Sequence, residues 1–277
     1  MWPGTFIDPD TTLADLDAPH EALGVPIYSG YQAIRHARAL RGQNRIFDAI
    51  VRKVKALDIP YEDQCSARYY YDLTTTLRDM AGEYDRVVEV GVYMGGSSSV
   101  FAGCIERFDF DLDLVDISPD FLRFTHERIR RLFPESVGRV RLFHGTLPQY
   151  VREVMTRKRM RAVIHHDGAH AFDQVVKDMA SLSFVQDKIH AIIAQDTHLR
   201  GTPQEMNFVD LAIAAVFGND LNYVPIGTVY SADDGLTHPN SYQGNYFKPD
   251  APEGLVLPMA MNRFEYPHPS MKLEAFV

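Results

Sequence analysis

The rhythm of apolar and polar positions changes at Arg86. Before it, two segments repeat apolar residues at helical spacing. In 44–58, Ile46, Phe47, Ile50, Val51, Val54 and Leu57 share one face, and Pro60 stops the run. In 66–82, Tyr70, Leu73, Leu77 and Met80 repeat the pattern, with Gly82 suited to a C-cap. From Arg86 onward, short β-rich apolar runs alternate with helical stretches. The pattern predicts strands over 86–90, 112–117, 139–143, 161–166 and 189–194, and helices over 97–107, 119–132, 147–157 and 171–182. That βαβαβαβαβ order belongs to a parallel sheet covered on both faces. Thr202-Pro203-Gln204-Glu205 reads as a capping box opening a helix to Phe217, and 221–230 as one or two further strands. The proline-punctuated first 30 residues read as an arm, and 231–277, rich in Pro, Asn, Asp and Gly, carries no assignable element. The expected organisation is an arm with helices over 1–84, a core over 85–235 and an irregular extension over 236–277.

Composition narrows the function classes. The chain has 277 residues and a net charge of −9, with 45% hydrophobic and 23% charged residues, ordinary values for a globular protein. The acidic balance argues against a nucleic-acid coat, and no apolar run approaches the ~18 residues of a membrane span. The opening Met1-Trp2-Pro3-Gly4 shows no secretory pattern. Two cysteines, Cys65 and Cys104, cannot build a disulfide framework or a four-thiolate zinc site. A cytoplasmic setting is the expectation.

Chemistry enters at the strand ends. Glu89-Val90-Gly91-Val92-Tyr93-Met94-Gly95-Gly96-Ser97-Ser98 places an acid and a glycine-rich turn between a buried strand and a helix. Ligands of open α/β sheets bind beyond the carboxyl ends of the strands. Tyr93 occupies the second glycine position of the dinucleotide fingerprint, and no phosphate-loop motif exists, so a pyrophosphate ligand is disfavoured. Asp116 ends the next strand, where an acid can accept both hydroxyls of a ribose. Two later strand ends are polar: His165-His166-Asp167-Gly168-Ala169-His170 and Gln195-Asp196-Thr197-His198. On neighbouring strands, about 4.8 Å apart, Asp167 and Asp196 can share one hard cation. If the chain stays extended past Asp196, His198 points to the same side and sits beside a cation-bound hydroxyl as its base.

The acid-x-Gly-x-x-x-Gly turn with its second-strand acid resembles the class I S-adenosylmethionine-dependent methyltransferases. The two polar strand ends are similar to those of the metal-dependent sugar and antibiotic O-methyltransferases, of the macrocin, mycinamicin and novobiocin type, and their cephalosporin-hydroxylase-like relatives. The resemblance spans roughly 85–200. It implies a Rossmann-like α/β sheet closed by an antiparallel strand, expected within 221–250. Glu89, Gly91, Gly95, Ser97, Asp116, Thr146 and Asp167 would hold S-adenosylmethionine, with Glu89 near the methionine amino group directly or through water. Asp167, Asp196 and Gln195 would hold Mg²⁺ or another divalent cation, and His198, or His170, would be the base beside Asp167. Gln195 replaces an acid found in several relatives, and Ala169 the catalytic aspartate of the novobiocin type.

The implied acceptor is a small-molecule hydroxyl, a sugar or glycoside first and a phenol second. The arm and tail suggest a homodimer or larger homo-oligomer. Two alternatives stand: a non-catalytic scaffold that keeps the fold, and a zinc hydrolase built on the histidines. His-His-Asp-x-x-His does not reproduce the H-E-x-x-H helix, and the hydrolase leaves the glycine turn unexplained. Arg157-Lys158-Arg159 reads as a solvated helix end, and Tyr69-Tyr70-Tyr71 as packing or a substrate cover.

Overall fold

The structure is a computed structural model that describes residues 4–27, 32–57, 59, 65–201, 207–230, 246–264 and 272–277. Its strands are β1 (Thr5–Ile7), β2 (Arg86–Val90), β3 (Asp111–Asp116), β4 (Val140–His144), β5 (Ala162–His166), β6 (Ile189–Gln195), β7 (Leu199–Gly201), β8 (Val224–Val229), β9 (Tyr246–Phe247) and β10 (Pro252–Pro258). The α-helices are α1 (Pro19–Leu23), α2 (Arg45–Leu57), α3 (Ala67–Asp79), α4 (Gly96–Phe108), α5 (Pro119–Leu132), α6 (Leu147–Tyr150), α7 (Phe172–Leu182) and α8 (Val209–Phe217).

Among the described residues, eight strands form one sheet in the order β1-β4-β3-β2-β5-β6-β10-β8, with β2 to β6 all parallel. The chain leaves β2 toward β3 on one side and later returns to β5 on the other. The switch point, where such sheets bind ligands, therefore lies at the end of β2. Successive strand residues feed opposite faces, as the pleat requires. Val87, Leu114 and Val163 join a core with α2 to α5, while Val88, Val115 and Ile164 join one with α6 to α8. The continuous apolar strands fit a sheet buried on both faces.

Caps set the helix starts. Ser66 accepts the Tyr69 N–H, and Ser118, with Pro119 behind it, accepts the Phe121 N–H. Thr146 and Gln149 close a reciprocal capping box on α6.

The structure revises the sequence reading at the ends of the chain. The strand that closes the sheet antiparallel is β10, beyond the 221–250 window and inside the region read as an irregular tail. It slots between β6 and β8, so the expected core boundary at 235 cuts through the sheet. Periodicity missed β10 because Pro252 and Gly254 interrupt a run buried on both sides. The arm adds a strand, β1, antiparallel to β4 of its own chain. The helix expected over 147–157 holds α-geometry only to Tyr150 and then widens through Val151–Met155. The helix expected from Thr202 begins at Val209, and the capping box itself lies outside the described residues. No described helix is long and apolar enough to cross a membrane. Cys65 and Cys104 are both buried.

Candidate functional site

A cavity of about 460 Å³ opens beyond the carboxyl ends of β2 to β5, within the size range of ligand pockets. Val90 and Val115 border it from the strand ends, with Gly91 and Tyr93 on the glycine turn. Asp116, Ile117 and Phe121 bound one side, and Gly145 to Leu147 and Asp167 to Ala169 bound the others. Gln174 and Asp178 reach it from α7. Sequence reasoning missed Tyr93, Ile117, Phe121, Leu147, Gln174 and Asp178. The signal for two of them was present, since Gln174 and Asp178 stand four apart and so share a helix face.

Gly91 is dictated by its neighbours. Its φ is +80°, and a Cβ there would sit 2.1 Å from the backbone oxygen of Asp167. The turn can cross the β5 loop at that distance only without a side chain. Gly95, at φ +76°, caps α4, and a Cβ there would meet the Thr125 side chain at 2.8 Å. Asp116 accepts the Val92 N–H (2.9 Å) on one oxygen and the Ser118 N–H (2.8 Å) on the other. The Tyr93 backbone also donates to this carboxylate, and the lone-pair sites that remain can take a hydroxyl donor. Burial raises the Asp116 carboxyl above its ordinary value, against these backbone donors.

Glu89 does not border the cavity. It is fully buried, and its two oxygens take the Ser97 and Ser98 hydroxyls at the start of α4. Burial pushes its carboxyl up to about 8, despite those hydroxyls. Neither Gly95 nor Ser97 lines the cavity either. Glu89 instead ties the strand end to the helix that follows. Beside it, His165 is buried between Tyr69 and Phe101, with its Nε2 3.0 Å from the Tyr69 hydroxyl. Burial lowers this imidazole to about 3, so it is neutral. Tyr69 and Tyr70 thus pack, and Arg157, Lys158 and Arg159 are solvent-exposed.

At the ends of β5 and β6, paired as neighbours, Asp167, His170 and Asp196 converge. One ligand atom from each lies within 4.8 Å of the others. His170 Nε2 is 3.3 Å from Asp196 Oδ2 and 3.7 Å from Asp167 Oδ1. Asp196 is 2% exposed, and its Oδ2 finds no hydrogen-bond partner among the described residues, nor does Gln195 Oε1. Burial raises both carboxyls. Burial opposes a charged His170, but Asp167 and Asp196 outweigh it and raise the imidazole. The unpartnered buried Asp196 oxygen beside a second carboxylate fits a divalent cation, which would supply the missing charge.

His198 does not join this group. Asp196 takes φ +56°, and the Leu199 N–H bonds back to the Asp196 carbonyl at 3.0 Å. The chain turns instead of staying extended, which removes the premise that aligned the two side chains. His198 is fully buried and stacks on Tyr230, with rings 5.9 Å apart and 9° from parallel.

Residues 88–194 match the model of a family described as a methyltransferase domain. Among solved structures, an O-methyltransferase from Bacillus cereus in complex with S-adenosylhomocysteine aligns at 12% identity. That alignment covers 81% of this chain and 94% of the other, with a TM-score of 0.51, and shows the shared fold. The O-methyltransferase TomG from Streptomyces achromogenes, involved in tomaymycin synthesis and solved with S-adenosylmethionine, aligns at 13% identity. It covers 82% and 95%, with a TM-score of 0.47. No curated protein matches the chain significantly in sequence.

Proposed function

We propose that this chain, an S-adenosylmethionine-dependent methyltransferase by the domain it carries over residues 88–194, moves the methyl group to a hydroxyl oxygen of a sugar, glycoside or small natural product. The observation that supports this reading is the meeting of Asp167, His170 and Asp196 at one edge of a cavity of cofactor size. Asp167 borders both the cavity and the cluster, so a methyl donor in the first abuts an acceptor held at the second.

The cofactor, when bound, supplies a methyl group on a sulfonium. The chain's residues supply alignment and a base. Gly91, Thr146 and Asp167 shape the cavity wall, and Asp116 accepts ribose hydroxyls on its remaining lone pairs. Asp167 and Asp196, with Gln195 Oε1 as the nearest neutral oxygen in sequence, would hold Mg²⁺ or another divalent ion, which lowers the pKa of a hydroxyl it binds. His170, one-fifth exposed in its side chain, takes the acceptor proton at Nε2. The two carboxylates favour the imidazolium that results. We assign the base to His170 and not His198, because the latter is stacked on Tyr230 with no exposed surface. A sugar hydroxyl is the preferred acceptor, since its high pKa is what calls for both a cation and a base.

Calorimetry with S-adenosylhomocysteine, followed by turnover of S-adenosylmethionine on a panel of glycosides and phenols with and without EDTA, tests this. Binding with EDTA-sensitive O-methylation of a glycoside is expected. Failure to bind would favour the non-catalytic scaffold, and EDTA-insensitive turnover would remove the cation.

A further inference from the structure

Two side chains of α7 border the cavity without a part in the chemistry above. Asp178 is 4% exposed. Its Oδ2 lies 2.9 Å from His166 Nε2, and its Oδ1 accepts the Gln174 side-chain N–H at 2.9 Å. An oxygen that accepts an amide N–H offers nothing to an amide oxygen put in its place. Asp178 therefore dictates which way the Gln174 amide faces: the NH₂ turns to Asp178, and Oε1 lies on the opposite edge. His166, also fully buried, holds the carboxylate from behind. Here a buried polar chain orients one half-buried amide at a cavity wall.

The rest of that wall is apolar. Ile117 is 68% exposed, unusual for an isoleucine, and it borders the cavity together with Leu147 and Ala169. Such a slot suits the flat faces of a heteroaromatic base. In the turn after β4 the Gly145 and Thr146 N–H groups are already engaged, which leaves the Thr146 O–H as its side-chain donor. The Thr146 hydroxyl accepts the Gln149 N–H, the Thr146 N–H goes to Gln149 Oε1, and the Gly145 N–H goes to the Asp116 carbonyl.

We propose that Gln174 Oε1 accepts a hydrogen bond from the exocyclic amine of a 6-aminopurine seated between Ile117, Leu147 and Ala169, with Asp178 as the positioning residue that forbids the amide to flip. The inference rests on the cofactor reading above and specifies how its base is recognised. A 6-oxopurine would place a carbonyl against Oε1. Turning the amide to greet it would break the bond to Asp178 and leave a buried carboxylate oxygen short of a donor.

The test is calorimetry with S-adenosylhomocysteine and its hypoxanthine analogue S-inosylhomocysteine. The wild-type chain should prefer the adenine form by about tenfold or more. Gln174→Leu should weaken the adenine form by about tenfold, leave the analogue unchanged and bring the ratio near one. Asp178→Asn, which lets the amide turn either way, should lose the preference mainly by gaining affinity for the analogue. That gain is a response a merely structural role would not give. Thermal melts check that both variants fold, and Gln174→Met serves as a second variant should Gln174→Leu not. Equal wild-type affinities, or a preference that survives removal of Gln174, overturn the inference while leaving the cofactor reading intact. Binding of neither compound overturns both.

Discussion

Gly91→Ala is the sharpest test of how the cofactor turn and the chemical centre are joined. At φ +80° an alanine pays for a left-handed backbone, about 1–2 kcal/mol. Its Cβ would also stand 2.1 Å from the Asp167 backbone oxygen and 2.7 Å from Gly168 Cα, both main-chain atoms that cannot rotate aside. Overpacking of that kind costs about 1–3 kcal/mol more. The sum, about 2–5 kcal/mol, is a large part of a typical domain's stability. Two other glycines separate the terms. Gly82 has φ +83° and nothing within 4 Å, so Gly82→Ala should lose only the backbone share. At Gly168 a Cβ would touch Val90 at an ordinary 3.5 Å with no positive φ, so Gly168→Ala should cost under about 0.5 kcal/mol. Urea denaturation measures all three. Turnover and S-adenosylhomocysteine affinity should both fall in Gly91→Ala, because relief of the clash has to move Asp167, which serves cavity and cluster together. A Gly91→Ala chain as stable as Gly82→Ala and fully active would refute the reasoning.

Further outcomes follow from the same geometry. Asp196→Asn should reduce turnover by at least two orders of magnitude and abolish Mn²⁺ binding by calorimetry, with S-adenosylhomocysteine affinity little changed, since Asp196 does not border the cavity. His170→Ala should cost roughly 10²–10⁴ in rate, with partial recovery at high pH, where more acceptor is already deprotonated. His198→Ala should lower the melting temperature more than the rate, and the opposite ranking of the two histidines in turnover would return the base to His198. Glu89, whose carboxyl burial pushes to about 8 from 4.5, favours the folded state in its protonated form. Its contribution is therefore complete below about pH 4.5 and is lost as pH rises toward 8, by up to about 1.4 kcal/mol per pH unit. Glu89→Gln should remove that slope from the stability profile measured by denaturation, and an unchanged slope between pH 5 and 8 would place Glu89 in contact with water or a counter-charge.

What could be read from the sequence divides along a physical line. β2 to β6 and the helices between them were legible because each is a short apolar run or a helical face bounded by a turn. The pleat and the 3.6-residue repeat leave those marks in any order of strands. β10 left no such mark. Buried on both sides, it has no alternation, and Pro252 and Gly254 look like loop residues until β6 and β8 supply their partners. The site divides the same way. Gly91, Asp116, Asp167 and Asp196 stand at strand ends, so locating the strands located them. The direction of each side chain depended instead on one backbone angle. At Asp196, φ +56° turns the chain and takes His198 out of reach, while the β5 loop returns His170 to within 3.3 Å of the same carboxylate. A left-handed aspartate is among the few non-glycine exceptions the backbone tolerates, and nothing in Gln195-Asp196-Thr197-His198 announces it. What holds the turn comes from far along the chain. The Thr197 N–H bonds to the Glu253 carbonyl at 3.1 Å, and its hydroxyl to the Pro252 carbonyl at 2.9 Å. The strand the pattern could not show is thus the one that fixes the side chains it could not orient, and the two errors have a single cause.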